Sequence, residues 1–162
     1  MTRTRFRTRF RKSIMITVIQ RVLKAHIEIK GSIHVSSGKG LLVFAGIKKG
    51  DTDKQIELTA KKIIDLRIFA DENGKMNLSV KDKRGEVMVV SQFTLCTDNT
   101  KSGNRPSFTL AEDPSAAEEK YEKFLRCLKS YYVPERIKSG VFAADMKVGL
   151  INDGPVTIIM EK

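Results

Sequence analysis

A chain of 162 residues, 41% hydrophobic, with four prolines and a net charge of +11, holds enough apolar side chains for one buried core and is not read as disordered or fibrous. Its longest apolar runs, such as Gly40 to Ile47, are far too short to cross a bilayer as a helix. Two cysteines, Cys96 and Cys127, make neither a disulfide framework nor a metal-binding pattern, and with no secretory segment at the start the expected compartment is a reducing cytoplasm.

The charge is uneven. Six cations (Arg3, Arg5, Arg7, Arg9, Arg11 and Lys12) fall within residues 1–14, which hold no acid, so +11 less 6 leaves +5 for the other 148 residues. That segment alternates Arg with Thr or Phe and has no helical stripe. It reads as a disordered basic arm or as an extension ahead of a domain spanning 15–162. As an arm it would add salt-sensitive affinity for RNA; the plainer reading gives it no specific role.

Ile16 to Leu23 alternates β-branched and polar residues, the pattern of a half-buried strand. Ala25 to Ile29 and Ser32 to Val35 flank Lys30-Gly31, a hairpin signal. Gly40 to Ile47 reads as a central strand buried on both faces. Thr52 with Gln55 three residues on predicts a capping box, and Ile56, Ala60, Ile63 and Ile64 form one face of the helix that follows. Leu66 to Phe69 looks extended, with a turn at Asp71 to Gly74.

Glu86 to Leu95 predicts a second long buried strand, and Lys101 to Pro106 a polar loop. Asp113-Pro114 opens a second helix, whose apolar stripe is Ala117, Tyr121, Phe124, Leu125, Leu128 and Tyr132. A strand over Val141 to Ile151, a turn at Asn152 to Pro155 and a last strand over Val156 to Met160 complete the chain. About seven strands and two main helices in mixed order predict one α+β domain with mixed and antiparallel, barrel-like sheets.

No familiar catalytic pattern is present. The two histidines, His26 and His34, both sit in the early hairpin, where strand histidines are ordinarily surface or packing residues. There is no Gly-x-Ser-x-Gly elbow and no His-Glu-x-x-His pattern. Ser36-Ser37-Gly38-Lys39-Gly40 fails as a phosphate loop, because its glycine spacing is wrong and no Ser or Thr follows Lys39. A hydrolase built on this chain would rely on a water nucleophile and backbone N–H donors to the oxyanion, commonly worth roughly 10²–10³ in rate per donor.

Ser91-Gln92-Phe93-Thr94-Leu95 places hydroxyls and an amide at a strand's carboxyl end, a common address for a pocket, though such residues are more often local hydrogen bonders. Thr94 as a covalent nucleophile needs a base beside it, and the sequence offers none nearby. The Gly154-Pro155 bond is ordinarily trans, since only roughly 5–6% of X–Pro bonds in folded proteins are cis. In the cis form it would aim two successive carbonyl oxygens one way, a feature suited to rejecting a substituent by clash.

Together these residues resemble the D-aminoacyl-tRNA deacylase family. The resemblance runs from Met15 to Lys162 and includes Val18 to Val22, Gly40 to Val43, Leu66 to Phe69, Gly74 to Asn77, Ser91 to Leu95, Gly103 to Phe108 and Asn152 to Thr157. It implies a metal-free, cofactor-free homodimer that hydrolyses the ester of D-aminoacyl-tRNA, and of glycyl-tRNA mischarged on tRNA(Ala). In it a cis Gly154-Pro155 enters the partner's pocket and rejects L-amino acids with its carbonyl oxygens. It further implies that Arg21 holds this loop, that Ser91, Gln92, Phe93 and Thr94 wall the pocket, and that the tRNA's 2′-hydroxyl assists hydrolysis. Phe142 and Met146 match positions near the terminal adenosine, and Ala117 a pocket position. Ala143 departs from the family's Phe-Gly-Ala stretch. A noncatalytic basic RNA- or nucleotide-binding dimer is the alternative.

Overall fold

The computed structural model describes residues 15–161; the basic segment 1–14 lies outside the described residues. Among the described residues are eight strands and two α-helices. The spine is β1 (Ile16–Ile29), one continuous strand of 14 residues where two shorter ones were expected. A tight turn with φ of 51° at Lys30 and 78° at Gly31 returns the chain as β2 (Ser32–Ser37), antiparallel to the second half of β1. Positive φ at both residues matches the right-handed twist of the flanking strands.

β3 (Gly40–Gly46) runs antiparallel to the first half of β1, on the same edge as β2. Buried on both faces as expected, it pairs in parallel with β6 (Glu86–Ser91), which pairs in parallel with β7 (Ile137–Ser139). Between β3 and β6 lie α1 (Asp53–Asp65) and a two-stranded hairpin of β4 (Phe69–Ala70) and β5 (Met76–Leu78). The capping box at Thr52 forms: its hydroxyl accepts from Gln55 N, and the Gln55 amide oxygen accepts from Thr52 N at 2.8 Å.

α2 (Pro114–Tyr131) packs beside α1. Ile56, Ile63, Tyr121, Phe124 and Leu128 are all within 1% of complete burial, and with Leu41, Val43, Val87 and Val89 they form the larger core. Burying such side chains supplies the main stabilisation, roughly 1.5–3 kcal/mol each. The last strand, β8 (Lys147–Glu161), pairs with β1 from Ile16 to Glu28, with two interruptions of register. The sheet curls until β2 approaches β7, which gives the barrel-like form.

Four local expectations are corrected. The strand expected over 86–95 stops at Ser91, and Phe93–Cys96 turns into a 3₁₀ helix. Residues 141–146 form a loop, so β8 begins at Lys147 and not at Val141. Tyr132 lies beyond the end of α2, and its hydroxyl donates to the Gly85 carbonyl at 2.7 Å. Asn152 to Pro155 is no hairpin turn but part of a bulge inside β8.

Candidate active site

β6 delivers Ser91 to its carboxyl end, where Ala45 on β3 is its partner. Gln92 N donates to the Ala45 carbonyl at 2.8 Å and prolongs the pairing by one residue. The 3₁₀ turn then swings Phe93 outward, 58% exposed, with its ring edge-on to Phe108 at 5.2 Å between centroids. The Gln92 side-chain amide donates to Thr94 Oγ1 at 2.6 Å. At the start of this turn the backbone N–H groups of Phe93 and Thr94 donate to no acceptor among the described residues. Such a pair of donors is what a developing oxyanion requires.

Next to them lies a cavity of about 480 Å³, lined by Ser91, Gln92, Phe93, Ala117, Phe142 and Met146 among others. Ala117 comes from the first turns of α2, while Phe142 and Met146 come from the 141–146 loop. The Phe142 ring sits 5.9 Å from that of Tyr121, whose buried hydroxyl donates to the Val89 carbonyl at 3.2 Å. Burial drives the Tyr121 hydroxyl far above its ordinary pKa, so it stays neutral. Ala143, also in the lining, holds a φ of 61°, the left-handed region that glycine favours.

Among the described residues no lysine, arginine or histidine lines this cavity; its charged side chains are Glu112 and Asp145. Lys120 Nζ donates to Glu112 Oε2 at 2.6 Å, and this bond is the main reason the Glu112 carboxyl is held below its usual range. Burial acts oppositely on nearby Asp51 and raises it, and its Oδ1 has no hydrogen-bond partner among the described residues. Asp145 is likewise paired, its carboxylate 3.1 Å from Lys147 Nζ, so each acid of the cavity is balanced by a neighbouring lysine.

The second motif sits elsewhere. Gln20 pairs with Thr157 and Val22 with Asn152, so Asp153, Gly154, Pro155 and Val156 bulge out opposite Arg21 alone. The Arg21 guanidinium holds the bulge: Nε donates to the Asp153 carbonyl at 3.1 Å, Nη1 donates to the Ile68 carbonyl at 2.7 Å, and the Asp153 carboxylate lies 3.4 Å from Nε. Asn152 Oδ1 accepts from Val156 N at 3.2 Å across the base of the bulge. The Gly154-Pro155 peptide is cis, and Gly154 has a φ of 129°.

Register separates the two motifs. Ser91 is level with Ala45 and hence with Thr17, whereas the bulge is level with Arg21. Four residues along the strands is about 13 Å, and the three strand spacings from β8 to β6 add about 14 Å across the sheet. Gly154 and Pro155 do not line the cavity of their own chain.

The sequence matches the D-Tyr-tRNA(Tyr) deacylase family over residues 18–161. The chain belongs to that family. Among its relatives, a D-aminoacyl-tRNA deacylase of Persephonella marina is 53% identical over 91% of this chain and 97% of its own. One from Thermodesulfovibrio yellowstonii is 51% identical over 90% and 98% respectively. Of solved structures, a c-Myc DNA unwinding element binding protein superposes with a TM-score of 0.86 at 44% identity, over 91% of this chain and 98% of that one. A probable eukaryotic D-amino acid tRNA deacylase, 14% identical, shares the fold with a TM-score of 0.78 over 92% of this chain and 100% of that one.

Set against the deacylase motifs, six of the ten residues singled out from sequence meet at the cavity: Ser91, Gln92, Phe93, Ala117, Phe142 and Met146. Thr94 stands just behind, hydrogen-bonded to Gln92 but outside the lining, while Arg21, Gly154 and Pro155 gather at the bulge. His26 packs over Gly149 and His34 is exposed; neither lines the cavity. Sequence reasoning missed Glu112, whose partner Lys120 lies eight residues on. Its one signal was a position just ahead of the Asp113-Pro114 helix start.

Proposed function

We propose that this protein hydrolyses the ester bond of D-aminoacyl-tRNA, releasing tRNA and the free D-amino acid in the cytoplasm. The observation that carries the reading is the turn at Phe93 and Thr94, whose N–H groups meet no acceptor among the described residues, with Phe93 in the wall of a cavity sized for an amino acid. Supporting it is 53% identity to a D-aminoacyl-tRNA deacylase across nearly the full length. Water attacks the ester carbonyl, the backbone donors take up the oxyanion charge, and the terminal ribose oxygen leaves with a proton relayed through the neighbouring 2′-hydroxyl. Phe142 and Met146 flank the terminal adenosine, and Ala117 bounds the aminoacyl space.

Selection is the task of Gly154 and Pro155. Their carbonyl oxygens, delivered by the partner of a homodimer, clash with an L side chain. Glycine escapes, so glycyl-tRNA mischarged on tRNA(Ala) is also cleared. Arg21 keeps the bulge in place for this purpose, and the separation of bulge and cavity along the sheet favours delivery between subunits. No cofactor or metal enters the scheme.

The test is the decay of D-tyrosyl-tRNA, L-tyrosyl-tRNA and glycyl-tRNA(Ala) with the purified full chain in chelator, beside sedimentation of the protein. Accelerated decay of the D and glycyl esters alone, by a dimer, is the expected result. Decay of D-tyrosyl-tRNA no faster than in buffer would leave the alternative, a noncatalytic nucleic-acid-binding dimer. The 44% identical relative described as a DNA element binding protein is the observation that favours that alternative.

A further inference from the structure

Another cavity, about 330 Å³, lies at the opposite ends of β3 and β6 from the one beside Ser91. Its walls include Arg21, Lys39, Phe69, Lys83, Gly85 and Asp153. Asp153 is the single acid in that lining, and it already faces Arg21 at 3.4 Å. Lys39 and Lys83 are exposed and have no counter-carboxylate among the described residues. The cavity therefore keeps an uncompensated positive charge.

The backbone carrying these lysines is rigidly placed. Glu86 N donates to the Lys39 carbonyl at 2.9 Å. A Cβ at Gly40, where φ is 158°, would fall 1.8 Å from the Glu86 carbonyl oxygen, so only glycine permits this approach. The turn bearing Lys83 is closed by Lys83 N to Ser79 O at 3.2 Å and Gly85 N to Val80 O at 3.0 Å. Asp82, the one acid of that turn, is held by the Ser79 N–H and hydroxyl at 2.7 and 2.8 Å. Glu86, behind Lys39, is likewise engaged by Gly38 N at 2.6 Å and faces Lys138 at 3.8 Å. Each nearby acid is occupied elsewhere, and the two ammonium groups are presented from fixed backbone.

We propose that this groove, with Lys39 and Lys83 as its donors, binds a backbone phosphate of the tRNA while the bulge beside it engages the aminoacyl end. The identity of the polyanion rests on the aminoacyl-tRNA reading above. The charge distribution argues for such a division. Among the described residues no lysine or arginine lines the first cavity to hold a phosphate, so the tRNA backbone is held at a separate basic surface. The groove adjoins Asp153 and hence the bulge, so a phosphate seated there would fix the bulge's register on the substrate.

The test uses the full chain, the K39Q/K83Q variant and, as a control of equal charge change, K54Q/K61Q on the exposed face of α1. Binding of uncharged tRNA is measured by anisotropy from low to high salt. K39Q/K83Q is expected to weaken binding about tenfold and to flatten the slope of log affinity against log salt by about one to two units, while the control changes neither. D-Tyrosyl-tRNA hydrolysis should show a raised KM with little change in kcat, and D-tyrosyl-adenosine, which has no phosphate, should be cleaved as by the unmodified chain. Unaltered tRNA affinity and slope in K39Q/K83Q, as a groove taking only free inorganic phosphate would give, overturns the proposal. So does an equal loss in both variants. If neither ester is hydrolysed by the unmodified chain but tRNA binding still depends on Lys39 and Lys83, the esterase reading fails and the groove stands.

Discussion

Arg21 and Asp153 are joined across β1 and β8 by a 3.1 Å hydrogen bond from guanidinium Nε to main-chain carbonyl, with the two side chains' charges 3.4 Å apart. The same guanidinium caps the Ile68 carbonyl at 2.7 Å. One side chain, 15% exposed, thus ties the bulge of β8 to the strand-hairpin that follows α1. A planar fork of donors can span two carbonyls in this way; a lysine ammonium on a flexible stem cannot hold the same geometry.

Arg21→Ala leaves two partly buried carbonyls without their donor and lowers stability by about 2 kcal/mol. Arg21→Lys recovers less than half of this. Denaturant melts of the three proteins give the stability order, and D-tyrosyl-tRNA hydrolysis should follow it, because the bulge loses its hold.

Gly154→Ala places a methyl 2.8 Å from Val156 Cγ2 and 3.0 Å from Arg21 Nη2 at a φ of 129°. The backbone of the bulge must shift to admit it. Turnover of D-tyrosyl-tRNA is expected to fall on the order of tenfold or more, with the circular dichroism spectrum unchanged. Full activity in this variant would remove the bulge from the mechanism.

Thr94→Ala tests the conventional-nucleophile reading. Among the described residues the Thr94 hydroxyl meets only the Gln92 amide, a donor that cannot accept its proton. Single-turnover rates should stay within about tenfold of the unmodified chain, whereas loss of a true nucleophile costs on the order of 10⁶.

Glu112 gives a pH signature. Lys120 holds its carboxyl below the ordinary value, so the pair's stabilisation is fully present above the unfolded carboxylate pKa of about 4.3 and is lost as pH falls through the lower folded value. The difference in Tm between the unmodified chain and Glu112→Gln should therefore be level from neutral pH down to about 5 and close at more acid pH. A gap that widened on acidification would contradict the pairing.

Ala143→Gly relieves a left-handed backbone, worth roughly 1–2 kcal/mol for a non-glycine residue, against roughly 0.4–1 kcal/mol of added freedom in the unfolded chain. The net gain should raise Tm by about 2 °C in calorimetry.

Much of this architecture was legible in the chain. Local patterns gave the capping box at Thr52, the two amphipathic helices, the hairpin at Lys30-Gly31 and the doubly buried β3, because each depends on contacts a few residues apart. Of the motif residues, Ser91, Gln92 and Phe93 line the cavity, while Gly154 and Pro155 gather with Arg21 at the bulge. The sequence by itself could not say that the strand before Phe93 would stop at Ser91, since Val89 to Leu95 carries no glycine or proline to end it.

What only tertiary structure decided is where Asn152 to Pro155 would go. Read locally, an Asn-Asp-Gly-Pro run is a turn between two strands. Pairing on both sides of it with one uninterrupted β1 makes it a bulge, and Arg21, 132 residues away in sequence, fills the gap opposite. Likewise the cavity beside Ser91 and the basic groove lie apart because parallel pairing of β3 and β6 sends Ser91 to one end of the sheet and Gly85 to the other. Sequence order holds no record of this separation, because the side chains that line each site meet only through long-range pairing.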